Sequence, residues 1–252
     1  MLASIIELAT GEPYGVVMER RLFAPTGMRH SVHPDFPHLI PDRATSYVPS
    51  LDGVLSAPLK DLSFLAGAGS VFSTPSDLHA MIRALLDGKL GDTARQALLR
   101  ETGLSWNGIT NGYRAFADYH ADSELEVIFA GNLNTGAVNR LRADVPKIMI
   151  GESVATPARI AVKPVAVDEK SLRRFEGVYE SDRGQSFPVH VERGMIFAGD
   201  RLLIPTSVTS FYSLQEYGRV NVILDDDGNV ERLDWEWGGQ FWPYHFRKGL
   251  EE

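Results

Sequence analysis

Serines occur along the whole chain, but none has a base at the spacing that serine nucleophiles commonly use. A serine attacks an acyl carbon only when a nearby base takes its proton. No serine is followed by lysine three residues later, and Ser56 and Lys60 are four residues apart and flank Pro58. The Gly-x-Ser-x-Gly and His-Glu-x-x-His motifs are absent as well. A dyad of Ser70 or Ser105 with a histidine brought near by the fold stays open, because geometry defines such groups.

One short segment collects residue types that bind metals. Its members are His30, His33, Asp35, His38 and Asp42. Imidazole and carboxylate suit zinc, but solvated loop side chains are the simpler interpretation. The run at residues 225–229 lacks the full frame and the distal glutamate of a calcium loop, so it indicates a hairpin turn. We therefore expect no metal site and no cofactor.

Composition excludes several classes of function. The 252 residues carry a net charge of −8, which disfavours binding to nucleic-acid phosphates, and they include no cysteine. No apolar run approaches the roughly 20 residues that span a bilayer. No signal peptide, with its basic and apolar regions, precedes the first helix. The cellular location is therefore unknown, and we expect it to be cytoplasmic if Met1 is the true start. We expect no nucleic-acid partner and no membrane span.

The elements that would position a site form an α+β pattern. The clearest helix follows Ser73 or Thr74 as N-cap and Pro75 in the first turn, with an apolar stripe up to Leu86. Residues 105–119 and 124–131 are predicted to be two strands, and 138–150 a closing helix. From residue 168 onward, short alternating segments between turn signals predict an antiparallel barrel or sandwich. We predict domains at 1–150 and 168–252, joined by a linker at 151–167.

Two stretches of the first domain carry family-specific patterns. The matches to the pattern LLxxIIExxTGxxY and the phrase PLGM that follows it are Leu2, Ile5, Ile6, Glu7, Thr10, Gly11, Tyr14, Phe23, Pro25, Gly27 and Met28. The stretch at residues 66–90 is similar to the pattern AGGLxSTxxDLxxW. Together these stretches resemble the penicillin-recognising serine hydrolases, a family that includes class C β-lactamases, D,D-peptidases and esterases.

The resemblance implies a partial hydrolase domain. In that family the Ser-x-x-Lys and Tyr-x-Asn motifs precede the first helix of this chain, so the resemblance implies a C-terminal portion without catalytic residues. It also implies a partial antiparallel sheet with helices, followed by a small lipocalin-like β-domain. The exposed sheet edge would invite pairing with another chain.

The family's third motif is present in altered form. Trp106, Asn107 and Gly108 stand at the Lys-Thr-Gly position, and Tyr47 fits an A-x-x-Y segment near the active-site mouth. The resemblance implies that these four residues bind substrate. Backbone N–H groups on such a strand can help form an oxyanion hole. Because Trp106 offers no positive charge, a neutral ester or amide is favoured over a penicillin.

These observations predict a serine hydrolase of acyl substrates whose nucleophile is absent from this chain. Its substrate would be a small acyl compound, once an N-terminal segment completes the domain. The alternative is a non-catalytic, degenerate hydrolase that acts as a ligand-binding or interaction protein. An aromatic group in the β-domain could line a pocket for such a ligand, although alternating aromatics more often form a core. The members of that group are Trp235, Trp237, Phe241, Trp242 and Tyr244.

Overall fold

The computed structural model describes residues 1–34, 39–50, 53–156, 162–237 and 240–248. Helices and turns of helix alternate with loops in the first half and are rare in the second. The helices are α1 (Leu2–Thr10), α2 (Tyr14–Met18), α3 (Ala24–Thr26), α4 (Pro75–Leu86), α5 (Asp92–Leu98), α6 (Ala137–Met149) and α7 (Glu169–Arg173). A π-helical turn, Glu19–Phe23, joins α2 to α3. Within the described ranges, each helix is too short or too polar to cross a membrane.

The described strands form three separate sheets. The first five are β1 (Tyr47–Ser50), β2 (Gly53–Ser56), β3 (Gly103–Thr110), β4 (Tyr113–His120) and β5 (Leu125–Gly131). The other eight are β6 (Gly177–Ser181), β7 (Ser186–Glu192), β8 (Met195–Ala198), β9 (Arg201–Pro205), β10 (Ser210–Ser213), β11 (Gly218–Leu224), β12 (Val230–Trp237) and β13 (Gln240–Lys248). β1 pairs with β2, the order β3-β4-β5 makes a second sheet, and β6 to β13 close into a barrel. The predicted α+β class, with a partial sheet followed by an all-β barrel, is confirmed.

The chain divides into two compact units. The first unit comprises Met1–Val48, Asp52–Asn134 and Val145–Glu152. The second comprises Pro49–Leu51, Thr135–Asp144 and Ser153–Glu252. Each unit has its own buried apolar cluster.

The core of the first unit lies between α4 and the three-stranded sheet. α4 begins as its sequence predicts, because the Thr74 side chain accepts a hydrogen bond of 3.2 Å from the Asp77 N–H and Pro75 occupies the first turn. Ile82 and Leu85 of α4 are fully buried against the sheet. The apolar stripe of α4 therefore fixes one face of the sheet that carries the candidate site.

The predicted strand 105–119 is wrong, because the structure turns in its middle. β3 and β4 are the two arms of a hairpin, with Thr110 paired to Tyr113 across the turn. Gly112 adopts φ 78°, and Asn-Gly is the dipeptide that two-residue hairpin turns favour. The Asn111-Gly112 turn signal was present in the sequence. The prediction instead followed the family's third motif and treated residues 105–119 as one strand.

The second unit is an eight-stranded barrel with a filled interior. Each strand pairs with its sequence neighbour, and β13 returns to β6, so no edge is left open. Leu172 and Phe175, in and just after α7, are buried with the inward-facing strand residues and close one end of the barrel. The Tyr179 hydroxyl donates a hydrogen bond of 2.7 Å to the Phe175 carbonyl oxygen there. Burial raises the pKa of this phenol well above its ordinary value.

Candidate active site

β3 is an edge strand and carries three of the four predicted substrate-binding residues. The sheet order places β4 on one side of β3, and no described strand lies on the other. Asn107 and Gly108, at the centre of β3, are exposed. A Cβ added to Gly108 would have no other atom within 4 Å. The middle of this strand therefore offers backbone N–H and C=O groups to a molecule that approaches from the open edge.

Side chains on β3 alternate between the two faces of the sheet. Trp106 is partly buried and packs with Leu104 against the α4 cluster. Asn107 lies on the opposite face, where its register partner is Phe116. Trp106 thus supplies apolar packing beneath the strand, while Asn107 and the gap at Gly108 are the accessible features. The structure brings the three residues to one strand but does not bring their side chains to one face.

The fourth predicted residue, Tyr47, lies on a segment held close to the end of the same hairpin. The Tyr47 N–H donates to the Asn132 carbonyl oxygen at 2.8 Å, and the Asn134 N–H donates to the Tyr47 carbonyl oxygen at 3.0 Å. The Tyr113 hydroxyl donates to the Ala44 carbonyl oxygen at 2.6 Å. The segment that enters β1 is therefore fixed to the residue that begins β4.

The hairpin turn itself is packed rather than free. A Cβ on Gly112 would overlap the side chain of Ser46, so the segment before β1 crosses the turn at close range. The Asn111 side chain donates to the Pro58 carbonyl oxygen. Both contacts come from the irregular stretch of the sequence, and residue spacing alone gave no signal for either of them.

A buried polar pair supports the face of the sheet that carries Asn107. Arg114 is 4% exposed, and its Nε donates to the Asn134 side-chain oxygen at 2.9 Å. Phe116 and Phe129 stack beside it with ring centroids 5.6 Å apart. A buried guanidinium is costly without hydrogen-bond partners, and Asn134 supplies one. The same bond connects β4 to the Asn132–Asn134 segment that also holds Tyr47.

One serine does have a histidine at hydrogen-bond distance. The Ser70 hydroxyl oxygen lies 2.8 Å from His33 Nδ1, the separation that a serine–histidine dyad needs. Ser70 is only 1% exposed, however, and the His33 ring packs edge-on against Tyr14 at 5.0 Å. The hydroxyl is enclosed, so this pair ties the loop at Ser70 to the loop at His33 and offers no accessible nucleophile.

Asp77 accepts two hydrogen bonds from the histidine-rich segment. The His30 N–H and the Ser31 hydroxyl each donate to Asp77 Oδ2 at 2.7 Å. Ser31 also shares a hydrogen bond of 2.7 Å with Ser73. Asp35 and His38 lie outside the described residues. Among the residues that the structure describes, no three His, Cys, Asp or Glu side chains are grouped to hold a metal ion.

The aromatic group of the β-domain divides between core and surface. Trp235 and Tyr244 are 1% and 4% exposed and belong to the barrel core, whereas Trp242 is 36% exposed. The side chains of Trp237 and Phe241 lie outside the described residues. A pocket of about 70 Å³ beside α7 is lined by apolar groups, and ligand pockets are several times larger.

Comparison with known proteins relates the first part of the chain to a known family. The beta-lactamase family model matches residues 1–123. A putative penicillin-binding protein, PbpX of Bacillus subtilis (strain 168), is 33% identical over 90 residues, which are 36% of this chain and 23% of PbpX. These matches support a relation of residues 1–123 to the serine β-lactamase-related family.

Solved structures support the same fold. D-amino acid amidase from Ochrobactrum anthropi SV3, complexed with L-phenylalanine amide, is 23% identical with a TM-score of 0.51; the match covers 59% of this chain and 54% of the amidase. FmtA from Staphylococcus aureus is 19% identical with a TM-score of 0.53, covering 64% of this chain and 51% of FmtA. This chain thus spans about half the length of both structures and about a quarter of PbpX.

Proposed function

We propose that this chain is the C-terminal part of a β-lactamase-related serine hydrolase, which forms an acyl-enzyme on a serine that another segment supplies. The observation that carries the proposal is the open edge of β3, exposed at Asn107 and Gly108. An extended acyl substrate would lie along this edge, and a backbone N–H of the strand would stabilise the oxyanion as it forms. Residues 1–150, 151–167 and 168–252 would be the hydrolase part, the linker and the lipocalin-like domain.

The four predicted substrate-binding residues have distinct roles in this proposal. Asn107 would donate or accept a hydrogen bond beside the substrate, and the open space at Gly108 would admit it. Trp106 would hold the strand flat by packing under it, and Tyr47 would border the site at the hairpin end. Because this arrangement presents no cation in the place of the family's lysine, the substrate is a neutral ester or amide, in preference to a penicillin.

The nucleophile and its base would come from a segment with Ser-x-x-Lys and Tyr-x-Asn. A serine–lysine pair performs acyl transfer with side chains alone, so no cofactor is required. Ser70 is enclosed, so this chain by itself is proposed to be inactive. The amidase and the penicillin-binding protein among the relatives favour amide or ester chemistry for the complete domain.

The test is to sequence the coding DNA immediately upstream of the Met1 codon and to assay the protein it encodes. The proposal expects an in-frame segment with both motifs. The extended protein should then hydrolyse p-nitrophenyl esters or amino-acid amides. Replacement of the motif serine with alanine should abolish that hydrolysis, while Ser70→Ala, the matched control, should leave it intact. An in-frame stop codon without either motif would contradict the proposal.

The second candidate is a non-catalytic protein that keeps the hydrolase scaffold. The observation in its favour is Trp106, which packs into the apolar cluster and offers no charge to a substrate. This candidate expects the upstream stop codon. It also expects no labelling of the full natural protein by a fluorophosphonate, a probe that reacts with active serine hydroxyls.

A further inference from the structure

The two ends of the barrel differ in chemistry. At one end, α7 packs beside β7 and β8, and the Arg174 side chain reaches the Gly228 carbonyl oxygen in the turn between β11 and β12. The opposite end holds the turns that join β6 to β7, β8 to β9 and β10 to β11. The segment leading into α6 packs on the β10–β11 turn at this end, where the Gly136 N–H donates to the Gln215 carbonyl oxygen at 2.6 Å. Two arginines lie at this end, each close to a tryptophan ring.

We define the mouth of the barrel by Arg183, Arg201, Glu216 and Trp242. The Arg183 guanidinium lies over the Trp242 ring, 5.2 Å from its centroid. Arg201 Nε is 2.7 Å from Glu216 Oε1, and its guanidinium carbon is 6.0 Å from the centroid of the buried Trp235. Each arginine therefore lies within cation–π distance of an indole ring.

The floor of the mouth is closed by three aromatic rings. Phe187 packs against Tyr244 at 4.9 Å and against Trp235 at 5.6 Å between centroids. Trp235 and Tyr244 are almost fully buried. A long acyl chain has no path past this floor, so a ligand of the mouth must be short and flat.

The charges of the mouth select the ligand. Glu216 is only 10% exposed and offsets the charge of Arg201. No ion pair joins Arg183 to a carboxylate within the part of the chain that the structure describes. Arg183 is exposed, and a guanidinium binds a carboxylate through two parallel N–H groups. One free cation beside an exposed indole suits a molecule with one carboxylate and one flat apolar ring.

We propose that the mouth of the barrel binds a small aromatic carboxylate, with the carboxylate on Arg183 and the ring against Trp242. This site is independent of the hydrolase proposal, because all of its residues belong to the second unit. A ligand of this size has an affinity in about the millimolar range or somewhat tighter.

The test is titration of the full chain with 2-naphthoate, followed through the indole Nε1–H signals in ¹H–¹⁵N NMR spectra. Trp242→Phe identifies the Trp242 signal. Binding should shift that signal in a saturable way, and Arg183→Gln should weaken binding by about tenfold, the loss of a charge-assisted contact. The matched control is Arg193→Gln, an exposed arginine in the β7–β8 turn at the α7 end, which should bind as the wild type does.

Two further ligands distinguish the contribution of the carboxylate from that of the apolar part of the ligand. 2-Naphthamide, which keeps the ring and loses the charge, should bind about tenfold more weakly than 2-naphthoate. Laurate should not compete, because the floor excludes its chain. Equal affinity for naphthoate and naphthamide, an unchanged affinity in Arg183→Gln, competition by laurate, or no shift of the Trp242 signal at about 10 mM would each overturn the proposal.

Discussion

The sheet of the first unit and the barrel of the second are both antiparallel, but the sheet has edge strands and the barrel has none. The barrel has every strand paired on both sides, whereas β3 has one bare edge among the described residues. Among the residues with described side chains, nine of the twelve largest that are fully buried belong to the second unit. Exposed large apolar residues concentrate instead in the first unit, and Leu2, Ile5 and Leu8 of α1 alone are 61%, 54% and 86% exposed. The first unit therefore exposes more large apolar side chains than the barrel does.

The largest expected effect contrasts one tryptophan from each unit. Trp235→Ala removes a side chain that is 1% exposed in the barrel core, so we expect a loss of about 3–5 kcal/mol in the free energy of unfolding. Trp106→Ala removes a partly buried ring, so we expect a loss of about 2 kcal/mol or less. Urea unfolding followed by circular dichroism measures both. A larger loss of unfolding free energy from Trp106→Ala than from Trp235→Ala would contradict the expected difference between the two cores.

The next effect contrasts two glycines on β3. Gly103 has φ 116°, and a Cβ there would overlap the Tyr119 carbonyl oxygen, so Gly103→Ala should cost about 2–4 kcal/mol. Gly108→Ala should change stability by less than about 0.5 kcal/mol, because the added methyl meets no atom. Thermal unfolding of both variants tests this. A large loss at Gly108 would mean that the edge of β3 is covered.

The open edge should also make the chain self-associate. Ile109 on β3 is 55% exposed, and Ile109→Lys should weaken association by about tenfold, since a charge on an edge strand opposes strand pairing. Val208, equally exposed on the barrel, gives the matched control Val208→Lys, which should have no effect. Sedimentation velocity over a range of concentrations measures the difference. Equal behaviour of the two variants would locate association outside β3.

The smallest effect concerns pH and belongs to the barrel. Burial raises the pKa of Tyr179, so the folded chain holds this phenol proton more tightly than the unfolded chain does. The resulting stability is fully present below the unfolded pKa of about 10 and is lost as the pH rises above it. Tyr179→Phe should cost about 1 kcal/mol at neutral pH, through the lost bond to Phe175, and should flatten the alkaline decline. Unfolding midpoints at neutral and alkaline pH test this; an unchanged alkaline slope would contradict it.

The sequence predicted best where local chemistry and tertiary packing agree. The start of α4 was predictable because Thr74, Pro75 and Asp77 each suit a helix N-terminus. The barrel was predictable because its inward and outward residues alternate. The β3–β4 turn was missed, although Asn111-Gly112 carried the signal. The pairing of Ser70 with His33 spans 37 positions, and no residue spacing encodes it.

The site was predictable only in part, for a physical reason. Trp106, Asn107 and Gly108 were expected to act together because they are consecutive, but consecutive residues of a strand face opposite sides. Tyr47 is held by Asn132 and Asn134, which lie far along the chain. Its role in substrate binding stays a prediction, as do the roles of the other three residues.

We infer that the described part of this chain holds the scaffold of a serine hydrolase without an accessible nucleophile. The most direct measurement incubates the purified chain with p-nitrophenyl acetate and with a fluorophosphonate, and records turnover and the mass of the protein. We predict turnover equal to that of buffer and no added mass. Turnover with covalent labelling, both lost in Ser70→Ala or in Ser105→Ala, would contradict it and would establish a serine–histidine dyad within this chain.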